Sequence, residues 1–78
     1  MKRFSLVSMK ENRKGTVVEF VSGHGLERRC MALGIYRGKE ITKVSQCALR
    51  GPVMVKVGRS IIALGRSMAH KIMLDVCD

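Results

Sequence analysis

Gly51-Pro52-Val53-Met54-Val55-Lys56-Val57-Gly58-Arg59-Ser60-Ile61-Ile62-Ala63-Leu64 is the stretch on which the fold turns. Val53, Val55 and Val57 alternate with Met54 and Lys56, which puts the three valines on one face of an extended segment. Gly58-Arg59 then supplies a two-residue turn, and a β-branched apolar run resumes behind it. Two strands joined in this way form a tight hairpin. The valine face has to be covered, and in a chain of 78 residues the hairpin becomes the spine of a small barrel.

Working outward, Leu33-Gly34-Ile35-Tyr36-Arg37-Gly38-Lys39-Glu40-Ile41 ends a helix and opens a strand within nine residues. Leu26, Cys30 and Leu33 recur at helical spacing, which predicts one short helix over about 25–33 with Arg28 on its outer side. Gly34 stops it where a left-handed residue is wanted, and a strand reopens after Gly38. Strands are expected at about 17–21, 39–46, 53–57, 60–64 and 71–76. Residues 4–9 read as a short leading segment, 10–15 as a polar turn and 65–69 as a single helical turn before the last strand. The expected architecture is mainly β, a barrel of about five to six strands. Gly34, Gly38, Gly51, Pro52 and Gly58 are its structural turn positions. No internal repeat, linker or low-complexity tract occurs, so residues 1–78 read as a single domain.

A chain of this size buries only about 60% of the surface its unfolded form exposes, which leaves no room for a deep substrate pocket. Apolar residues make up 46% of it, but the aromatics are only Phe4, Phe20 and Tyr36, so the core has to be built from Val, Ile, Leu and Met. Phe4 and Phe20 are expected inside and Tyr36 outside.

Fifteen Lys and Arg against six acids give a net charge of +9. The natural partners of such a field are an acidic protein surface, nucleic acid or an anionic membrane face. The basic residues, among them Lys2, Arg3, Arg13, Lys14, Arg28, Arg29, Lys43, Lys56 and Arg59, are spread along the chain and read first as a solvated surface. Three cysteines without CxxC spacing do not make a disulfide framework, which points to a reducing cytoplasm. The apolar run behind Met1-Lys2-Arg3 is too short for a signal peptide, and no stretch is long enough for a membrane span.

Catalysis is not expected. Glu11, Glu19, Glu27 and Glu40 lie among basic neighbours, where surface ion pairing is their simpler role. Cys30 takes the inward side of the helix and reads as a buried, inert thiol. Gly23-His24-Gly25 lacks the Lys-Ser/Thr ending of a phosphate loop. Imidazole and thiolate are good ligands for Fe2+ or Zn2+, and the candidates are His24, His70, Cys47 and Cys77. Nucleic-acid binding is the rival reading for a small basic barrel, but Tyr36 alone is expected as a stacking platform, so it is disfavoured.

LGI-x-x-G-x-x-I over Leu33–Ile41, followed by GPV-x-V-x-V-x-x-x-IIAL over Gly51–Leu64, resembles the ferrous iron transport protein A family. Gly15, Val17, Leu26, Arg29, Ala69 and Ile72 fall in the same order and spacing, and the resemblance runs from about Leu6 to Val76. Arg37 stands where the family commonly has a turn proline, Arg50 where a glycine usually precedes the proline, and Gly65 where an arginine often follows the leucine. The resemblance implies an SH3-like barrel and a cytoplasmic, non-enzymatic accessory of ferrous iron uptake. Its implied partner is the cytosolic part of a FeoB-like GTP-dependent membrane transporter, which would recruit it to the inner face of the membrane. Similar domains close iron-dependent repressors, whose DNA contacts belong to a separate helix-turn-helix domain that this chain is too short to carry; a transition-metal-binding or iron-sensing module is a further alternative. Arg28 and Arg29 on the helix, with Lys56 and Arg59 on the hairpin, are selected by charge and expected exposure as the docking face.

Overall fold

The structure is a computed structural model and describes residues 2–21, 24–46 and 51–77. Six strands and two short helices follow one another as β1 (Lys2–Ser5), β2 (Arg13–Phe20), α1 (His24–Ala32), β3 (Glu40–Gln46), β4 (Val53–Val57), β5 (Ser60–Leu64), α2 (Arg66–Ala69) and β6 (Ile72–Val76). All pairings are antiparallel, and the strand order is β1-β6-β2-β3-β4-β5.

The hairpin that decides the fold forms at the expected residues, with Val57 opposite Ser60 across Gly58-Arg59. Gly58 has φ +61°, as the first central residue of a two-residue turn requires. Val53, Val55 and Val57 are all buried. They share one core with Val17 and Phe20 of β2, Ile41 of β3, Leu64 of β5 and Ile72, Leu74 and Val76 of β6, so the sheet wraps around its own inner face. Register shifts at Val17/Glu19 and at Lys43/Ser45 mark bulges, which increase strand bend and twist where the wrapping needs them. Among the described residues β1 and β5 do not pair, so the expected barrel stays open between its two edge strands.

Helix α1 ends in a Schellman arrangement. Ile35 N–H donates to the Cys30 carbonyl at 2.8 Å and Gly34 N–H to that of Met31 at 3.0 Å, with Gly34 at φ +84°. Cys30 and Ile35, the apolar pair that accompanies this motif, are both fully buried. Ile35 thus takes the core position expected of Leu33, which lies at the helix end and stays 39% exposed. The chain then turns through Tyr36-Arg37-Gly38-Lys39, with Lys39 N–H bonded to the Tyr36 carbonyl and Gly38 at φ +91°. Arg37 occupies the second position of this turn, where proline is favoured in type I and II turns.

Two boundaries differ from expectation. Strand β2 begins at Arg13 and not at 17, because Arg13, Lys14, Gly15 and Thr16 pair with Lys43, Thr42, Ile41 and Glu40 of β3. The turn is therefore confined to the residues before it, with Asn12 at φ +65°. The leading segment is a strand at Lys2–Ser5 paired with β6, followed by a turn. Phe20 is buried, Phe4 is partly buried against the core and Tyr36 is exposed. Gly51 and Pro52 lead directly into β4.

Candidate functional site

A charge without a partner is strongly disfavoured in a dry core, so the cationic excess has to sit outside. Arg28 and Arg29 are exposed on α1, Lys56 on β4 and Arg59 in the β4–β5 turn. The two elements meet where α1 stops: a methyl group placed on Gly34 would lie 3.4 Å from Val57 Cγ1. The chain just past α1 therefore lies close to the end of β4, on which Lys56 stands.

Each pair also keeps other company. Arg29 lines a cleft with Leu26 of α1, Ser67 and Met68 of α2, and Lys71. Lys56 belongs to a row across the sheet, in which Lys14 stands opposite Thr42, Thr42 opposite Lys56, and Lys56 opposite Ile61. At about 4.8 Å between strands, Lys14 and Lys56 are about 10 Å apart on one outer face. Ile61, 59% exposed, adds an apolar group to the end of that row. Lys14 and Lys71 were not singled out from the sequence; strand register and helix docking bring them in.

Among the described residues, Arg28, Arg29, Lys56 and Arg59 make no ion pair, whereas other arginines do. Arg3 contacts Asp75 at 3.2 Å and Glu19 at 3.8 Å, and Arg37 contacts Glu27 at 3.1 Å. Glu19 and Glu27 thus form the surface ion pairs expected of them, whereas Glu40 forms none among the described residues. Glu11 differs, accepting the Gln46 backbone N–H at 2.9 Å.

Lys43 does not belong to the solvated surface. It is 2% exposed, and its ammonium donates to the Val7 carbonyl at 2.9 Å, the Met9 carbonyl at 2.6 Å and Gln46 Oε1 at 2.7 Å. All three donors of the ammonium are thereby used. Burial pushes its pKa below the ordinary lysine value; the negative charge of Glu11 opposes that shift, while Arg66 reinforces it. The signal was in the alternation of β3, since a strand that buries Ile41 also turns the residue two positions on toward the core.

The candidate metal ligands lie on separate segments of the chain. His24 opens α1 and His70 follows α2, both exposed; Cys77 follows β6 and is exposed, and Cys47 lies outside the described residues. Cys77 shares a shallow cleft with Glu40 and Asp75, but Arg13 and Lys14 line it too, and Asp75 is already bound by Arg3. Among the described residues no three His, Cys, Asp or Glu side chains converge, so His24, His70 and Cys77 do not form a donor set for Fe2+ or Zn2+ there. Cys30 is a buried free thiol, and its burial raises the pKa.

Comparison with known proteins finds the same fold. A crystal structure of an iron uptake regulatory protein, FeoA, matches with a TM-score of 0.88 at 25% identity, covering 99% of this chain and 100% of that one. An FeoA-like protein from Clostridium acetobutylicum gives 0.85 at 24% identity, over 100% of this chain and 91% of that one. A manganese-dependent transcriptional repressor gives 0.85 at 17% identity, with 96% of this chain covering 42% of the repressor, a likeness of fold alone. No curated protein matches the chain. The model of the FeoA domain matches residues 4–76, every described element but the start of β1 falls inside that span, and the chain belongs to the FeoA domain family.

Proposed function

We propose that this protein is a cytoplasmic, non-enzymatic accessory of ferrous iron uptake that docks on the cytosolic part of a FeoB-like GTP-dependent transporter. The observation that carries the reading is the FeoA domain match over residues 4–76. No helix among the described residues is long and apolar enough to cross a membrane, so membrane recruitment would come through the partner. Arg28, Arg29, Lys56 and Arg59, exposed and without ionic partners among the described residues, supply a face whose charge steers it toward an acidic surface. Tyr36, Met31 and Ile61 are exposed apolar groups, any of which lying on the docking face would add contact area.

The test is binding of the purified chain to the cytosolic domain of the cognate transporter across a salt series, with a single-stranded oligonucleotide in parallel. Saturable transporter binding is expected, weakened about tenfold or more by replacing Arg28, Arg29, Lys56 and Arg59 with Ala, with little change in Tm. Unchanged affinity in that variant would remove the face. Tighter binding to the oligonucleotide than to the transporter would reassign the barrel to nucleic acid.

A further inference from the structure

Strand β5 is one edge of the sheet, and among the described residues β4 is its one strand partner. Val57 and Ser60 close the two-residue turn as a hydrogen-bonded pair, so the bonded positions of this antiparallel ladder recur at Ile62 and Leu64. The N–H and C=O groups of Ile61 and Ala63 therefore point away from β4, along the open side. Among the described residues no hydrogen bond reaches them there, and the side chains of both are exposed.

Sheets usually protect such an edge with a proline, a bulge or a charged side chain on the strand itself. β5 carries none of these. Ser60-Ile61-Ile62-Ala63-Leu64 has no proline and no charge, and it pairs with β4 along its whole length without a register shift. The other edge, β1, carries Lys2 and Arg3, and Arg3 is tied to Asp75 and Glu19 across that side of the sheet. An uncharged, regular and apolar edge on a chain with so much charge elsewhere is a template for another strand.

The inner face of the sheet also ends short at β5. Ile62 shares the side of the buried Val55 and Leu64, yet it is only partly buried against the core. A strand added along the open side would set one side chain about 5 Å from Ile62 on that inner side, and the residues before and after it beside Ile61 and Ala63. The surroundings are cationic. From Ile41 to Leu74 the sequence has no Asp or Glu, while Lys56 stands opposite Ile61 and Arg59 immediately precedes the strand. Glu40 opens β3, two strands in from this edge.

We propose that β5 pairs with an extended segment of a partner protein, taken up as a further strand, whose aliphatic side chain packs beside Ile62 and whose flanking carboxylates are drawn to Lys56 and Arg59. The main chain of Ile61 and Ala63 supplies the bonds, and the side chains select the partner. A second copy of the chain is a poor occupant, since it would bring +9 against +9. A nucleic acid would meet Lys56 and Arg59 but leave the ladder open. The site stands on the main chain of β5 and not on the transporter reading, although it shares Lys56 and Arg59 with that docking face.

The test is a titration of the full-length 15N-labelled chain, followed by amide chemical shifts and hydrogen exchange. The probes are a capped peptide, Glu-Asp-Thr-Val-Thr-Val-Thr-Asp-Glu, the same peptide N-methylated on its Thr residues, the same peptide with Lys for every acid, and an oligothymidylate of equal length. Saturable shifts are expected over residues 59–65, and at saturation the amides of Ile61 and Ala63 should exchange about tenfold or more slowly than in the free chain. N-methylation should weaken binding about tenfold or more, and so should the Lys flanks. Ala63→Pro removes one outward N–H and leaves the ladder to β4 intact, so it should lose the peptide with little change in Tm. If that variant is poorly folded, the N-methylated peptide decides the matter on the native chain. Shifts centred away from β5, equal affinity for the plain and N-methylated peptides, or tighter binding of the oligothymidylate would each overturn the proposal. So would a dimer in sedimentation that Ala63→Pro dissociates, since the edge would then belong to a second copy. Transporter binding absent while peptide binding persists would sink only the transporter reading.

Discussion

Lys43 shows how much one side chain can decide. Its ammonium sits in the interior without a carboxylate at ion-pair distance among the described residues, held by three neutral oxygens. Replacing it with Met keeps the volume but leaves the Val7 and Met9 carbonyls short of a donor, which should cost about 2 kcal/mol, read by denaturant unfolding. Its pH dependence has a definite sign. Because the folded pKa lies below the unfolded value of 10.5, there is a window below 10.5 in which the unfolded chain holds a proton that the folded chain has released. Stability from this group therefore rises with pH through that window. The advantage of the native chain over Lys43→Met should be larger near pH 10 than at pH 7; a constant difference would show that Lys43 titrates normally.

At the scale of elements, two left-handed glycines set the path of the chain. Gly34 at φ +84° closes α1 and sends Ile35 into the core, and Gly58 at φ +61° reverses β4 into β5. A β-branched side chain is strained in this region, so Gly34→Val and Gly58→Val should each lower stability by at least about 1 kcal/mol in thermal or denaturant unfolding. Gly34→Val should be the worse of the two, because its side chain also meets Val57, whereas nothing lies within 4 Å of the corresponding position at Gly58. Both glycines were legible in the sequence, since each follows an apolar-periodic run and only Gly takes these angles cheaply. The start of β2 was not, because Arg13-Lys14 looks like a polar turn until β3 is there to pair with it.

At the scale of the whole molecule, the three-dimensional closure of the core separates two thiols by their access to solvent. Cys30 is 0% exposed and its pKa is raised by burial, while Cys77 is exposed. Thiolate is the reactive form, so at neutral pH iodoacetamide should modify Cys77 readily and Cys30 only as fast as the core opens. Site-resolved mass spectrometry checks this, and equal rates at the two sites would contradict the packed core. The same closure determines which cations stand together. Arg28 with Arg29 and Lys56 with Arg59 could be picked from the sequence as exposed charge, but only the tertiary structure puts Arg29 in a cleft with α2 and Lys56 in a row with Thr42 and Lys14.

The sequence by itself determined most of the elements and the resemblance to the family. Alternating valines, the two turn glycines and the helical spacing of Leu26 and Cys30 act over neighbouring residues, and local geometry suffices to read them. Only the tertiary structure decided that Lys43 is inside and that β1 and β5 leave the sheet unclosed among the described residues. The physical reason is that strand register and burial arise from pairings between residues far apart in the chain. A cation's role as solvated surface or internal strut follows from those pairings and not from its neighbours in sequence.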